Sequence, residues 1–157
     1  MKVSVTYLIK IFDIDKTISL IEESSADYIH VDFMDNKFVH NTNYEIEELK
    51  EFLSNTKKKL DVHIMAYNPL DYLEVFKELN TEYFTFHYEA VDDVASTIKE
   101  IKKANLKVGI ALNPDTSIDR IKPYLGSIDL VLIMGVFPGY GGQEIIHHNL
   151  DKIKKIS

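Results

Sequence analysis

The sequence predicts an α/β fold with a parallel sheet, rolled as a (β/α)8 barrel of which about six βα units are present. Three observations predict it. Apolar, β-branched or aromatic runs recur at intervals of 22 to 33 residues, with helical patterns between them. His30, Asp32, His63, His87, Asn113 and Met134 fall in the last halves of these runs or just beyond, where α/β folds gather functional groups. Those residues are spread over several successive runs, which suits a barrel mouth better than the single crevice of an open sheet. No Gly-x-Gly-x-x-Gly follows the first run, which weakens a dinucleotide site.

Taken in order, the expected strands are VSVTYLI (3–9), DYIHVDF (27–33), LDVHIM (60–65), YFTFHY (83–88), KVGIAL (107–112) and DLVLIM (129–134). Between the first two, DKTISLIEESSA (15–26) sets Ile18 and Ile21 at helical spacing. Residues 34–44 form an enlarged loop before the third run. NPLDYLEVFKEL (68–79) offers Asn68 as an N-cap and Pro69 at the first helical position. VDDVASTIKEIKKA (91–104) carries Val91, Val94, Ile98 and Ile101 on one stripe. DTSIDRIKPYL (115–125) reads as a shorter helix with Pro123 near its end, and DKIKKIS lies in a sixth helix. Eight strands would need about two further units. The expectation is one incomplete barrel domain over residues 1–157, with no linker or low-complexity segment and with unpaired sheet edges.

With 157 residues, 45% of them hydrophobic, the chain can bury a sizeable core. Its formal charge is -7, and its basic runs, 57–59 and 151–155, are short, which excludes a nucleic-acid footprint. The absence of cysteine excludes a disulfide framework and a thiolate metal site. No apolar run is long enough to span a bilayer, and MKVSVTYLIKIFDID has no small-residue cleavage site. The expectation is a cytoplasmic protein with neither membrane nor nucleic acid as partner. Oligomeric state is left open, with a homo-oligomer allowed.

The stretch IHVDFMDNKFVHN (29–41) carries the chemistry. Period two puts His30 and Asp32 on one face of a strand, where core residues are expected. His63 stands at the matching place in the next run, and Met34 and Met65 each follow two residues after the last polar position. Either histidine alone reads as a hydrogen-bonded core residue. Two imidazoles with an inward carboxylate point instead to one divalent metal ion, Zn, Mn, Fe or Co, since the set is too nitrogen-rich for Mg or Ca. An inward Asp without a partner would carry a steep desolvation cost. Met34, Met65 and Met134 suit an apolar wall rather than a hard ion. His87 is open between site lining and hydrogen-bonded packing. FPGYGGQ (137–143) is a glycine-rich turn whose backbone N–H groups can approach an anion, with a helix soon after it. Its ligand would be a small phosphorylated molecule.

These residues together resemble the ribulose-phosphate 3-epimerase family along essentially the whole chain. HVDFMDNKFVHN is similar to the family's HVDVMDGHFVPN, LDVHIMAYNPLDYLEVF to its DVHLMIENPDRYIEAF, and LVLIMGVFPGYGGQEII to its VLVMSVNPGFGGQKFI. The resemblance implies a (β/α)8 barrel and metal-dependent C3 epimerisation of a phosphorylated ketose, D-ribulose 5-phosphate to D-xylulose 5-phosphate, through an ene-diolate. It implies His30, Asp32 and His63 as metal ligands, Asp32 also as one of two acid/base carboxylates, and Met34, Met65 and Met134 as site lining. It places Gly141, Gly142 and Gln143 at the substrate phosphate with Gly139 in the same loop, and Thr6 where the family has a substrate-binding Ser. Asn36, His40 and Phe137 depart from the family's Gly, Pro and Asn, and VTYLIKI replaces its PSILSAD. The family's second acid/base Asp, also its fourth ligand, belongs to a seventh strand that this sequence does not contain, so the 157 residues alone are expected to epimerise poorly or not at all. Alternatives are a D-allulose-6-phosphate 3-epimerase, a non-catalytic phosphosugar-binding barrel, and a half barrel completed by a partner.

Overall fold

The structure is a computed structural model describing residues 1–8 and 13–156. Six strands, β1 (Ser4–Thr6), β2 (Tyr28–Met34), β3 (Lys59–Met65), β4 (Thr81–His87), β5 (Lys107–Leu112) and β6 (Leu130–Ile133), form one sheet in the order of the chain. Every neighbouring pair is parallel. A doubly wound sheet reverses its strand order at a switch point, and this one does not. Each crossover therefore advances in the same sense, and the sheet is a partial (β/α)8 barrel. Among the described residues β1 and β6 pair on one side only, and they are also the least buried strands.

The two faces of the sheet differ by chemistry. Ile29, Val31 and Phe33 of β2, Leu60, Val62 and Ile64 of β3, Phe84 and Phe86 of β4, and Val108, Ile110 and Leu112 of β5 share one buried cluster with helix residues. Those helices are α1 (Ile14–Glu23), α2 (Ile46–Leu53), α3 (Leu73–Glu78) and α4 (Val94–Lys103), and a fifth, α5 (Leu150–Lys154), follows β6. The alternate strand positions hold His30, Asp32, Met34, Asp61, His63, Met65, Thr85, His87, Gly109 and Ala111, and they make the inner face. A Cβ on Gly109 would lie 2.1 Å from Thr85 Oγ1, so the closeness of β4 and β5 on this face requires a glycine.

Capping explains where most helices start. Asp13 accepts the Lys16 N–H at 2.9 Å to open α1, and Asp93 accepts the Ser96 N–H at 2.9 Å to open α4. Ile18 and Ile21 of α1 are buried, as are Val94, Ile98 and Ile101 of α4, while Val91 lies ahead of the helix and packs on its edge.

Four expectations change. The first strand ends at Thr6, whose Oγ1 accepts the Leu8 N–H at 3.3 Å, and Ile9 lies outside the described residues. Helix α2 follows the enlarged loop, with Leu49 and Leu53 buried and Glu48 accepting the Glu45 N–H at 2.9 Å. Asn68 holds the N-cap position with Pro69 after it, but its side chain makes no capping bond: it is left-handed at φ 49°, and the element it opens, Pro69–Tyr72, is a 3-10 turn that precedes α3. Segment 115–125 is no α-helix but two 3-10 turns, Ile118–Arg120 and Lys122–Ser127. Ser117 Oγ accepts the Asp119 N–H at 3.3 Å, and Pro123 lacks the N–H that an α-helix would use.

Candidate functional site

Strand β2 reads His30-Val31-Asp32 and β3 reads Asp61-Val62-His63, the same polar pair in opposite order. The parallel register sets His30 opposite Asp61 and Asp32 opposite His63, so each imidazole meets a carboxylate across the ladder. His30 Nδ1 lies 2.8 Å from Asp61 Oδ2, and His63 Nδ1 lies 2.9 Å from Asp32 Oδ1. His30 Nε2 also reaches Asp32 Oδ1, at 3.3 Å. Thr6 Oγ1 donates to Asp32 Oδ2 at 3.3 Å, and Ser4 Oγ donates to Asp61 Oδ2 at 2.9 Å.

The line continues into β4. His63 Nε2 lies 2.8 Å from His87 Nε2, and His87 Nδ1 lies 3.4 Å from Glu89 Oε2. Glu89 Oε1 accepts the Asn113 N–H at 2.9 Å, at the end of β5. His87 is fully buried, with the Phe38 ring centroid 4.9 Å from its own. It therefore belongs to the site's hydrogen-bonded support.

Burial and pairing pull these groups in opposite directions. Burial raises the Asp32 carboxyl, but hydrogen bonds from His30 and His63 outweigh it and hold the group below the usual carboxylate range. Burial lowers His30, but Asp32 and Asp61 overcome it and raise the ring to about 10. Asp61 is raised by burial and lowered further by His30, ending below its ordinary value. At His87 burial wins: the ring falls to about 4 despite Glu89. Glu89 itself, though burial raises it, is kept low by His87, Thr116 and the backbone.

His30, Asp32 and His63 each present one ligand atom, and the three atoms lie within 4.8 Å of one another. The outer nitrogens, His30 Nδ1 and His63 Nε2, are already engaged by Asp61 and His87. The donor set and its hydrogen-bonded imidazoles fit a divalent transition metal. Above them opens a cleft of about 210 Å³ lined by Leu8, His30, Asp32, Met34, His63, Met65, Leu132, Met134 and the loop 136–141. Met34 and Met65 are buried with Val39, while Met134 is half-buried after β6. The expected wall and the expected ligands thus share one cavity, and Thr6 touches it through Asp32.

The glycine-rich turn closes one side of the cleft. Asn41 Nδ2 donates to Gly139 O at 2.5 Å, and Tyr140 OH donates to His40 O at 2.8 Å. Loop 34–44 therefore grips loop 137–143. Gly139 (φ 111°) presses against Val39, where a Cβ would meet the valine Cβ at 3.0 Å. Gly142 (φ 73°) also needs a glycine backbone. Gly141, Gly142 and Gln143 are exposed, and of the three only Gly141 lines the cleft. Gln143 Nε2 donates to Phe137 O and Tyr140 O at 2.7 and 2.9 Å, so its amide braces the turn from within. The helix expected soon after begins only at His147, as a 3-10 turn leading into α5.

Sequence reasoning passed over Asp61 and Glu89. The same alternation that marked His30 and Asp32 was available for Asp61 and His63. For Glu89, in the 3-10 turn Tyr88–Ala90, no strand periodicity applies.

The profile of the Ribulose-phosphate 3 epimerase family matches residues 8–157. The chain belongs to this family. It is 38% identical over 136 residues to the ribulose-phosphate 3-epimerase of Bacillus subtilis (strain 168), covering 87% of this chain and 63% of that protein. The corresponding protein of Treponema pallidum (strain Nichols) is 35% identical over 143 residues, 91% of this chain and 66% of the relative. That of Chlamydia pneumoniae is 34% identical over 133 residues, 85% and 58% respectively. The chain thus spans roughly three-fifths of the length of these relatives. Among the described residues no helix is long and apolar enough to cross a membrane.

Proposed function

We propose that this chain carries the metal-binding and proton-abstracting part of a ribulose-phosphate 3-epimerase, acting at C3 of D-ribulose 5-phosphate to give D-xylulose 5-phosphate. The observation that carries the proposal is the His30–Asp32–His63 cluster at the floor of the cleft. His30, through Nε2, and His63, through Nδ1, would hold one divalent ion, Zn, Mn, Fe or Co, together with Asp32 Oδ1. Bound there, the ion supplies a Lewis acid beside the carbon that loses its proton, stabilising the charge that develops on the neighbouring oxygens.

Asp32 moves the proton. Its Oδ1 is shared by both imidazoles at 3.3 and 2.9 Å, whereas its Oδ2 meets only Thr6 Oγ1 at 3.3 Å among the described residues. Oδ2 is therefore the atom left to take the C3 proton, with Thr6 steering it. Being held below the usual range, the carboxylate is ionised at neutral pH and ready to accept. Among the described residues that line the cleft, Asp32 is also the one carboxylate. The proton delivered to the opposite face comes from a second acid, which family resemblance puts on a seventh strand. Met34, Met65 and Met134 exclude water from the reacting carbon, and backbone N–H groups of Gly141, Gly142 and Gln143 anchor the phosphate, with Gly139 shaping the turn.

The test is exchange of the C3 proton of D-ribulose 5-phosphate into deuterated solvent, with each metal added in turn. The reading expects metal-dependent exchange, abolished by Asp32→Asn. D-allulose 6-phosphate in the same assay separates a six-carbon substrate from a five-carbon one. Tight binding of either sugar without exchange would replace the enzyme by a phosphosugar-binding barrel.

A further inference from the structure

One proton lies between His63 Nε2 and His87 Nε2, 2.8 Å apart, and either ring could own it. The answer decides what His63 offers at its other nitrogen. Asp32 Oδ1, 2.9 Å from His63 Nδ1, favours a proton on Nδ1, which would block that atom as a ligand. The other end of the line argues the opposite. His87 Nδ1 faces the Glu89 carboxylate at 3.4 Å, and an ionised carboxylate only accepts. That makes His87 Nδ1 the donor, its Nε2 the acceptor and His63 Nε2 the donor.

We propose that Glu89, acting through His87, is a positioning group that keeps the His63 proton on Nε2 and turns Nδ1 towards a metal ion. The inference rests on the metal reading above. Glu89 suits the task because the Asn113 N–H at 2.9 Å fixes its other oxygen, so the carboxylate cannot turn away. His87 has no exposed surface, so water does not compete for either of its nitrogens. It is needed as a spacer because Glu89 lies past the end of β4. His30 has the same device without the spacer: Asp61, held by Ser4 Oγ–H at 2.9 Å, accepts a hydrogen bond from Nδ1–H and leaves Nε2 for the ligand side. Each ligand imidazole is thus oriented by a carboxylate outside the ligand set.

Glu89→Gln tests this at constant shape. The glutamine oxygen must satisfy the Asn113 N–H, which turns its NH2 towards His87 Nδ1. His87 then carries its proton on Nε2 and donates it to His63, the wrong polarity for a metal on Nδ1. In the parent chain, histidine 15N and 13C shifts of the metal-free protein should show neutral His87 protonated on Nδ1. In the variant they should show it protonated on Nε2. Co(II) affinity, titrated by its visible absorption, should fall by about 10- to 100-fold. The urea midpoint of the metal-free protein should stay close to that of the parent, which separates positioning from loss of fold. An unchanged His87 tautomer, or unchanged cobalt affinity, overturns the inference and leaves Glu89 a brace for the β5 end. A parent chain that takes up no cobalt overturns the metal reading instead, and the tautomer shift then still decides the relay.

Discussion

Replacing Gly109 with alanine puts a methyl group 2.1 Å from Thr85 Oγ1, 2.9 Å from its Cβ and 3.0 Å from its Cγ2. Thr85 cannot easily yield. It is 1% exposed, β-branched and stiff at χ1, and it sits in register between His63 on β3 and Gly109 on β5. Relief requires either an unfavourable rotamer or a wider spacing of β4 and β5, and overpacking of this kind costs about 1–3 kcal/mol. With a urea slope of about 2 kcal/mol per M, the midpoint of unfolding should fall by about 0.5–1.5 M. The partner substitution makes the cause explicit. Thr85→Ala removes Oγ1 and Cγ2, so Gly109→Ala in that background should recover most of the loss. Recovery should be incomplete, because the 2.9 Å contact to Cβ remains. Thr85→Ala alone should cost less than about 1.5 kcal/mol, since its buried hydroxyl has no hydrogen-bond partner among the described residues to lose. The four chains form a double-mutant cycle read by urea titration. An unmoved midpoint in Gly109→Ala, or the same loss with and without the threonine, would refute the close approach of the two strands.

Three further outcomes follow from the site and its frame. Burial works against a proton on His30, yet Asp32 and Asp61 hold the ring charged up to about 10, so cobalt must displace that proton at neutral pH. Titration calorimetry in two buffers of different ionisation enthalpy should show proton release on loading, and affinity should rise with pH; uptake without proton release would contradict the pairing. Asn41→Ala removes the hydrogen bond that holds Gly139 O, worth about 0.5–1.5 kcal/mol. Inorganic phosphate or phosphosugar should then bind about 2- to 10-fold more weakly, with cobalt affinity unaltered, and a parallel loss of cobalt would show the loop to be part of the metal site. Asp93→Ala strips the cap from α4 and should cost about 1 kcal/mol in urea unfolding, without changing cobalt affinity.

Much of this frame was legible along the chain because it rests on local periodicity. Alternation placed His30 and Asp32 on one face of β2, and the 3.6-residue stripe found Ile18 with Ile21 and Val94 with Ile98 and Ile101. The same rule, applied to DVHIM, also puts Asp61 beside His63. The 3-10 turns at 118–127 were read as helix because apolar spacing over so few residues does not distinguish the two, and the choice fell to Ser117 and Pro123. Helix α2 was hidden by the loop before it, although its Leu49 and Leu53 stand at helical spacing.

The sequence by itself determined the rhythm of strands and helices, the order of polar residues within each strand, and the backbone freedom of the turn at Gly139 and Gly142. Only the tertiary structure decided which strand stands beside which and in what register. That register pairs His30 with Asp61 and Asp32 with His63, turns His87 into a link between His63 and Glu89, and brings Asn41 to Gly139 across 98 residues. The physical reason lies in the range of the forces. Dihedral preference and amphipathic period act over a few residues, whereas register is chosen by the burial of every strand at once. A histidine read alone cannot show whether its partner is a carboxylate, a metal or another imidazole, because that partner comes from elsewhere in the chain.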